Sequence, residues 1–162
     1  RGACHLESAT YWRGYGTGWP GWQEGPRDRF EGGETAARLV IEFQNYLGVY
    51  NPLGLCKFIT KGSFTPAQTA ELVHNALGWN WTGQDVLDAG ARLFNFKLLI
   101  NNRLGITVKD DVLPIRLTTE PRPTGSAAGV LPDMELMRND YYQLRQWDEN
   151  GVLTKKALLP PT

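Results

Sequence analysis

The stretch that decides the fold is TPAQTAELVHNALGWNWTGQDVLDAGARLFNFKLLINNRLG, residues 65–105, in which two successive helices have both ends marked. Thr65 has the pattern of an N-cap residue, Pro66 takes the first helical position, and Gln68 completes a capping box. Gly78 is predicted to end this helix, because glycine readily adopts the left-handed conformation found just past helix ends. The predicted apolar face comprises Leu72, Val73, Ala76 and Leu77.

The second helix of this stretch is predicted to begin at Thr82, with Asp85 in the capping-box position, and to end at Gly105. Gly90 lies in its interior, where glycine costs about 1 kcal/mol relative to alanine. A close crossing with another helix would explain a glycine at this position. The predicted apolar face comprises Val86, Ala89, Leu93, Phe96 and Ile100.

Two further helices are predicted, one over residues 34–47 and one from the N-cap Asp133 through Trp147. Residues 106–132 are rich in proline and are predicted to form an extended surface segment, and Thr154 is predicted to cap a short final turn. Because no stretch shows convincing strand alternation, the sequence predicts a mainly α fold with long loops and no substantial sheet. The apolar positions of the two helices are Ala36, Leu39, Val40, Phe43 and Leu47, and Leu136, Met137, Tyr141, Leu144 and Trp147.

Residues 1–33 are predicted to be a separate segment that precedes a single helical domain at 34–162. Glycine and proline are too dense between Tyr11 and Gly33 for a helix, so this stretch is predicted to be a long loop. Its aromatic density favours an ordered, partly buried loop over a disordered one. The aromatic residues are Tyr11, Trp12, Tyr15, Trp19, Trp22 and Phe30.

Composition excludes several classes of protein. Apolar residues make up 41% and charged residues 21%, as in ordinary globular domains, and 17 basic residues balance 17 acidic ones. Nucleic-acid and anionic-membrane binders need a basic excess, so neither partner is expected. With two cysteines and neither a signal peptide nor a membrane-spanning run, a reducing, cytoplasmic location is expected. Since residue 1 is arginine, the chain is expected to be processed, truncated or incomplete.

The segment NPLGLCKF, residues 51–58, places Cys56 on a glycine-containing turn between two helices. Backbone N–H groups around a thiolate stabilise its charge, as an iron–sulfur ligand or a reactive thiolate requires. The alternative is that Cys56 is a small buried hydrophobic residue, which is the common role of a free cysteine.

The segment RGACH, residues 1–5, offers a second candidate site. The guanidinium of Arg1 suits a phosphate or a pterin edge, and His5 could act as an acid or base near neutral pH. The alternative is a solvated arginine and a surface histidine at a chain terminus.

Polar residues around 92–116 are interpreted as structural, with amides and charges capping the helix end. Asp110 and Asp111 could instead be paired catalytic carboxylates, although adjacent loop residues usually point apart. Residues 141–158 have the pattern of an amphipathic helix followed by a capped turn, for which packing is a sufficient explanation.

Together these segments resemble the C-terminal region of the tungsten-dependent aldehyde:ferredoxin oxidoreductase family. The matching stretches span nearly the whole chain in the family's order, which is more specific than any one of them. They are RGACH (1–5), NPLGLC (51–56), LGWNWTGQDV (77–86), RLFNFKLLINNRLG (92–105), DDVLPIR (110–116) and YYQLRQWDENGVLT (141–154). Asn51 stands where the family usually has aspartate, and the family's three-cysteine cluster motif and first pterin-binding domain are absent from this chain.

The resemblance implies a tungsten or molybdenum bis-pyranopterin beside a [4Fe-4S] cluster, and oxidation of aldehydes to carboxylic acids with ferredoxin or another electron-transfer protein as acceptor. Cys56 matches the family's isolated fourth cluster ligand, and His5 matches a histidine near the metal and the substrate. The residues implied to contact the cofactor are Arg1, Asn51, Leu55, Cys56 and Lys57.

The resemblance also implies that both cofactors are completed by the N-terminal part of the enzyme or by a separate subunit. Two other functions stay open at this point. One is the tungsten subunit of an aromatic-ring thioester reductase, which shares this framework. The other is a non-catalytic helical interaction module that keeps the family's fold.

Overall fold

The computed structural model describes residues 4, 6–15, 18–19, 21, 25, 30–155 and 157. Helix α1 packs against both α3 and α5, and α3 also packs against α2. The prediction of a mainly α fold is confirmed, since the described residues contain isolated β-bridges and no sheet. The five α-helices are α1 (Glu34–Gly48), α2 (Pro66–Leu77), α3 (Gly83–Arg103), α4 (Ile115–Thr119) and α5 (Met134–Arg145).

The α1–α3 crossing is made close by a glycine on each helix. A Cβ atom added to Gly90 would lie 1.7 Å from the carbonyl oxygen of Asn45 in α1. A Cβ atom on Gly48 would lie 2.9 Å from the ring of Phe94 in α3. Both contacts are shorter than real Cβ atoms allow, so the predicted close crossing at Gly90 is confirmed.

Two hydrophobic clusters lie on either side of α1. The cluster on the α2–α3 side contains Trp19, Tyr46, Val49, Tyr50, Ala70 and Val86. The cluster on the N-terminal side contains Ala9, Trp12, Leu39, Phe43 and Leu47. The long N-terminal segment therefore contributes large buried aromatic residues to both clusters.

The helix ends predicted from sequence are confirmed. The hydroxyls of Thr65 and Thr82 each accept a hydrogen bond from the N–H three residues later, and both capping boxes are complete. Gly78 ends α2 with a φ of +73°, in the left-handed region that favours glycine. Asp133 caps α5 by accepting a hydrogen bond from the N–H of Leu136.

The predicted apolar faces of α2 and α3 are wrong in part. In α2, Leu72 and Leu77 are exposed, and the buried face instead comprises Pro66, Thr69, Ala70 and Val73. In α3, the face is buried at Val86 but exposed at Phe96 and Ile100. The apolar stripe of α3 therefore continues past the positions that the described residues cover.

Two predicted loops contain short helices. A 3-10 helix covers Thr10–Tyr15, and residues 106–132 include α4 and the 3-10 helix Val108–Asp110. Trp12 and Trp19 are buried and Tyr11 is half-exposed, which agrees with the predicted partly buried segment. The last helix ends at Arg145, two residues earlier than predicted, because Gln146 adopts a left-handed conformation with φ +58°.

Two asparagines in α3 fix the C-terminal segment. Asn95 accepts a hydrogen bond from the indole N–H of Trp147 at 2.9 Å and donates to the carbonyl of Ala157 at 2.7 Å. Asn102 donates to the carbonyl of Gly151 at 3.0 Å. The interpretation of the polar groups in this helix as structural agrees with these contacts.

The α1–α5 contact contains a buried arginine. Arg145 donates to the side-chain oxygens of Asn45 and Gln44, at 2.7 and 2.9 Å, and lies over the ring of Phe94. Planar guanidinium groups suit such stacked, multiply hydrogen-bonded positions. The described residues of the stretch 141–158 therefore take part in packing, which agrees with the interpretation from sequence.

Candidate functional site

The turn that carries Cys56 follows directly from the end of α1. The N–H of Leu53 donates to the carbonyl of Val49, and the N–H of Leu55 donates to the carbonyl of Tyr50. Gly54 closes the turn with a φ of +69° and donates its N–H to the carbonyl of Asn51. These three N–H groups are therefore engaged by carbonyls of residues 49–51, and the placement of N–H groups around the sulfur stays a prediction.

A buried tyrosine pair anchors the start of this turn. The Tyr50 hydroxyl donates to the Tyr46 hydroxyl at 2.6 Å, and the latter donates to the carbonyl of Phe64 at 2.7 Å. Burial raises the pKa of both tyrosines above the usual value, so both stay neutral donors at physiological pH. The start of the turn is therefore held to α1, and Tyr46 of α1 is in turn bonded to the residues preceding α2.

Cys56 lies on the surface of the domain. Its side chain is exposed and forms no disulfide. The alternative that Cys56 is a small buried hydrophobic residue is therefore wrong. Asn51 is also exposed and Leu55 is half-buried, so the turn presents polar and sulfur groups on its outer side and an apolar group on its inner side.

The residues after the turn bring the N-terminal segment to its side. Lys57 donates a hydrogen bond to the carbonyl of Leu6 at 3.1 Å, and its ammonium lies 3.8 Å from the carboxylate of Glu7. That carboxylate also pairs with Lys97 of α3 at 2.8 Å. Arg1 and His5 lie outside the described residues, whereas Leu6 and Glu7 are held next to the residue that follows Cys56.

Aromatic and aliphatic side chains continue this surface. Phe58 and Ile59 are both exposed, and the ring of Phe58 lies 5.4 Å from that of the buried Trp12. The ammonium of Lys61 lies 5.7 Å from each of these two rings. The Cys56 turn is thus bordered by an apolar surface and by lysines.

The other sequence candidates do not belong to this site. Asp110 accepts a hydrogen bond from the N–H of Thr107, whereas Asp111 accepts one from the hydroxyl of Tyr142. The two carboxylates are thus used by different structural contacts, which fits the structural interpretation and not a catalytic pair. A groove of about 690 Å³ lies between α1 and the starts of α2 and α3, and no residue of the Cys56 turn lines it.

Sequence reasoning missed Glu7 and Lys97, which the structure joins to Lys57. They are separated by 90 positions in the chain. Lys97 lies within the quoted stretch 92–105 and Glu7 outside every quoted stretch, so no local pattern could pair them. The only signal was the position of Glu7 two residues after His5.

Comparison with known proteins agrees with the resemblance seen in the sequence. The profile of the family described as "Aldehyde ferredoxin oxidoreductase, domains 2 & 3" matches residues 1–159. This chain belongs to the aldehyde ferredoxin oxidoreductase family. The tungsten-containing aldehyde ferredoxin oxidoreductase of Pyrococcus furiosus is 35% identical over 122 residues, covering 75% of this chain and 20% of the relative. The enzyme of the same name from Thermococcus kodakarensis is 30% identical over 157 residues, covering 96% of this chain and 25% of the relative.

The chain thus spans about a quarter or less of the length of these curated relatives. Within the described part, no helix is long and apolar enough to cross a membrane. Among the same residues, no group of three His, Cys, Asp or Glu side chains is arranged to hold a metal ion.

The donor set fits one part of the cofactor centre that the aldehyde ferredoxin oxidoreductase family implies. Cys56 offers one accessible sulfur, and a [4Fe-4S] cluster bound by four thiolates takes the other three from elsewhere. Asn51 lies on the same turn and supplies an amide group that suits a polar heterocycle. Lys57 follows Cys56 and would approach such a group through its backbone, because its ammonium bonds to the carbonyl of Leu6 and lies beside Glu7.

Proposed function

We propose that this chain forms one side of the active site of a tungsten or molybdenum oxidoreductase that oxidises aldehydes to carboxylic acids. In that reaction an aldehyde and water give the acid, two protons and two electrons. A pyranopterin metal held by Arg1, Asn51, Leu55 and Lys57 would supply the two-electron chemistry of this reaction, and a [4Fe-4S] cluster held by Cys56 would supply the path for electrons to ferredoxin. The observation that carries the proposal is that Cys56 is exposed on a turn held by backbone hydrogen bonds. The sequence resemblance matches this cysteine to the family's isolated cluster ligand.

The proposal gives each residue of the site a role. Cys56 ligates the cluster, since an accessible thiol on a fixed turn can bind iron without backbone rearrangement. Asn51, Leu55 and Lys57 hold the pterin side of the same turn, and Arg1 offers its guanidinium to the cofactor's polar edge. In this proposal Asn51 contributes as a neutral donor and acceptor, and not as the charged acceptor that an aspartate would be.

His5 is proposed as the acid or base at the reacting centre. Converting an aldehyde to an acid releases protons, and an imidazole with an ordinary pKa near 6.5 can accept one at neutral pH. The contacts of Lys57 with Leu6 and Glu7 support this role, because they fix the segment next to His5 against the cofactor turn. Residues 11–30 would then border the entrance for the aldehyde, with residues 1–33 forming the cofactor side of the helical domain at 34–162.

The activity test uses the complete enzyme and this chain by itself. The complete enzyme is expected to reduce a viologen dye with short aldehydes as substrates, whereas the 162-residue chain is expected to bind no tungsten and to be inactive. The reason is that a bis-pterin metal needs a second binding surface and the cluster needs three more thiolates. Reduction of an aromatic-ring thioester instead of aldehyde oxidation would support the thioester reductase, and metal-free complete protein would support a non-catalytic module.

The proposal includes the remaining part of the enzyme as the partner of this chain. The apolar stripe of α3 packs on the domain's own core at Leu93 but continues as Phe96 and Ile100, which are 59% and 43% exposed. Residues three and seven positions apart share one face of a helix. Lys97, on the same helix, contacts Glu7 beside the Cys56 turn, so this stripe borders the proposed cofactor side.

Replacing Phe96 by aspartate is expected to destabilise the complete enzyme by about 2 kcal/mol or more, because burial of a phenylalanine contributes about that much. Arg92→Ala, an exposed position on the same helix, serves as the control and should change stability by less than about 0.5 kcal/mol. Urea unfolding of both variants measures the difference. Equal stability of the Phe96 variant and the control would mean that this stripe stays exposed to solvent in the complete enzyme.

A further inference from the structure

Glu7 links three parts of the chain near the Cys56 turn. They are its own N-terminal segment, Lys57 directly after Cys56, and Lys97 in α3. Its carboxylate lies 2.8 Å from the ammonium of Lys97 in α3 and 3.8 Å from that of Lys57. The Glu7 and Lys57 side chains are only 19% and 11% exposed. Paired charges that are shielded from water interact more strongly than surface pairs, which applies here to the Glu7–Lys57 pair. Lys97 is 44% exposed, so its pair with Glu7 is stabilised less by shielding and more by its short distance.

Backbone groups of residues 4, 6 and 7 also hold the N-terminal segment beside Lys57. Lys57 also donates to the carbonyl of Leu6, and the N–H of Glu7 donates to the carbonyl of Cys4 at 3.2 Å. The segment on both sides of His5 is therefore attached to the residue immediately after Cys56. Glu7 places a carboxylate between the two lysines, so its removal would leave two positive charges without this neighbour.

We infer that Glu7 is a positioning residue, which locks the N-terminal segment against the Cys56 turn and balances the lysine charges beside it. The inference rests on the proposed function for its effect on the cluster, although the attachment of residues 4–7 to Lys57 is independent of any cofactor. Glu7 acts through Lys57 and through the placement of its own segment.

The test is Glu7→Gln in the complete enzyme, with Glu149→Gln, at an exposed position in a turn, as the matched control. Glutamine keeps the size of the side chain and removes its charge. We expect unchanged iron content, a higher midpoint potential of the cluster, and at least a tenfold fall in kcat. The potential should rise because removing a negative charge favours the reduced cluster. The control should leave potential and kcat unchanged.

Hydrogen–deuterium exchange provides a readout that needs no cofactor. The amides of residues 6–9 should exchange at least tenfold faster in the Glu7 variant than in the wild type and the control. Unchanged exchange together with an unchanged potential would overturn the inference. Wild-type enzyme without a cluster would contradict the proposed function instead, and the exchange result would still decide whether Glu7 fixes this segment. Faster exchange with an unchanged potential would reject the charge-balancing role.

Discussion

Gly90→Ala is expected to prevent stable folding, with a loss of more than about 3 kcal/mol in the free energy of unfolding. The new Cβ atom would lie 1.7 Å from the carbonyl oxygen of Asn45 and 2.7 Å from its Cα atom. These are backbone atoms of α1, so no side-chain rotation can relieve the clash. Alanine favours helices over glycine by about 1 kcal/mol, an effect of the opposite sign that is too small to compensate.

Gly62→Ala is the matched control for this variant. No heavy atom lies within 4 Å of a Cβ built at Gly62, so the substitution should change stability by less than about 1 kcal/mol. Urea unfolding followed by circular dichroism compares the two variants in the complete protein. A Gly90 variant as stable as the control would show that α1 and α3 do not cross at this distance.

The helix ends and the close crossing could be predicted because their causes are local. A threonine N-cap with its partner three residues later satisfies N–H groups within one turn, so the pattern at Thr82 and Asp85 specifies a helix start by itself. An interior glycine such as Gly90 is costly unless another backbone approaches it, which also needs no knowledge of the partner. Both predictions are confirmed by the structure.

The faces of the helices could not be predicted in full, because periodicity does not say what covers each face. The stripe of α3 is continuous in sequence from Val86 to Ile100, yet Val86 is buried whereas Phe96 and Ile100 are exposed. In α2, Thr69 is buried because its hydroxyl bonds to the Thr65 carbonyl and to the Tyr46 hydroxyl, while the larger Leu72 is exposed. Which residues of a helix are buried therefore depends on the elements that pack against it.

The candidate site, like the faces of the helices, could be predicted only in part. The Cys56 turn was visible from its glycine and proline, and the structure confirms the turn while placing its N–H groups in internal hydrogen bonds. The contact of Glu7 with Lys57 and Lys97 joins residues far apart in the chain, so only the folded structure reveals it. The roles of Arg1 and His5 stay predictions, since both residues lie outside the described part.

Cys56→Ala is expected to abolish the [4Fe-4S] cluster and reduce ferredoxin-linked aldehyde oxidation to background. Alanine offers no ligand to iron, and electrons from the reacting centre then lack their path out of the protein. The fold should survive, because the Cys56 side chain is exposed and its turn is fixed by backbone bonds and by the Tyr46–Tyr50 pair. Retained cooperative unfolding would separate loss of the cluster from loss of structure.

Cys4→Ala is the matched control, since Cys4 is the other cysteine of the chain and has no assigned role as a ligand. The most direct measurement is electron paramagnetic resonance of the dithionite-reduced complete enzyme, combined with iron analysis. We expect one reduced [4Fe-4S] cluster per enzyme chain in the wild type and in the Cys4 variant, and no such signal in Cys56→Ala. An unchanged cluster signal in Cys56→Ala would show that Cys56 is not a ligand of the cluster.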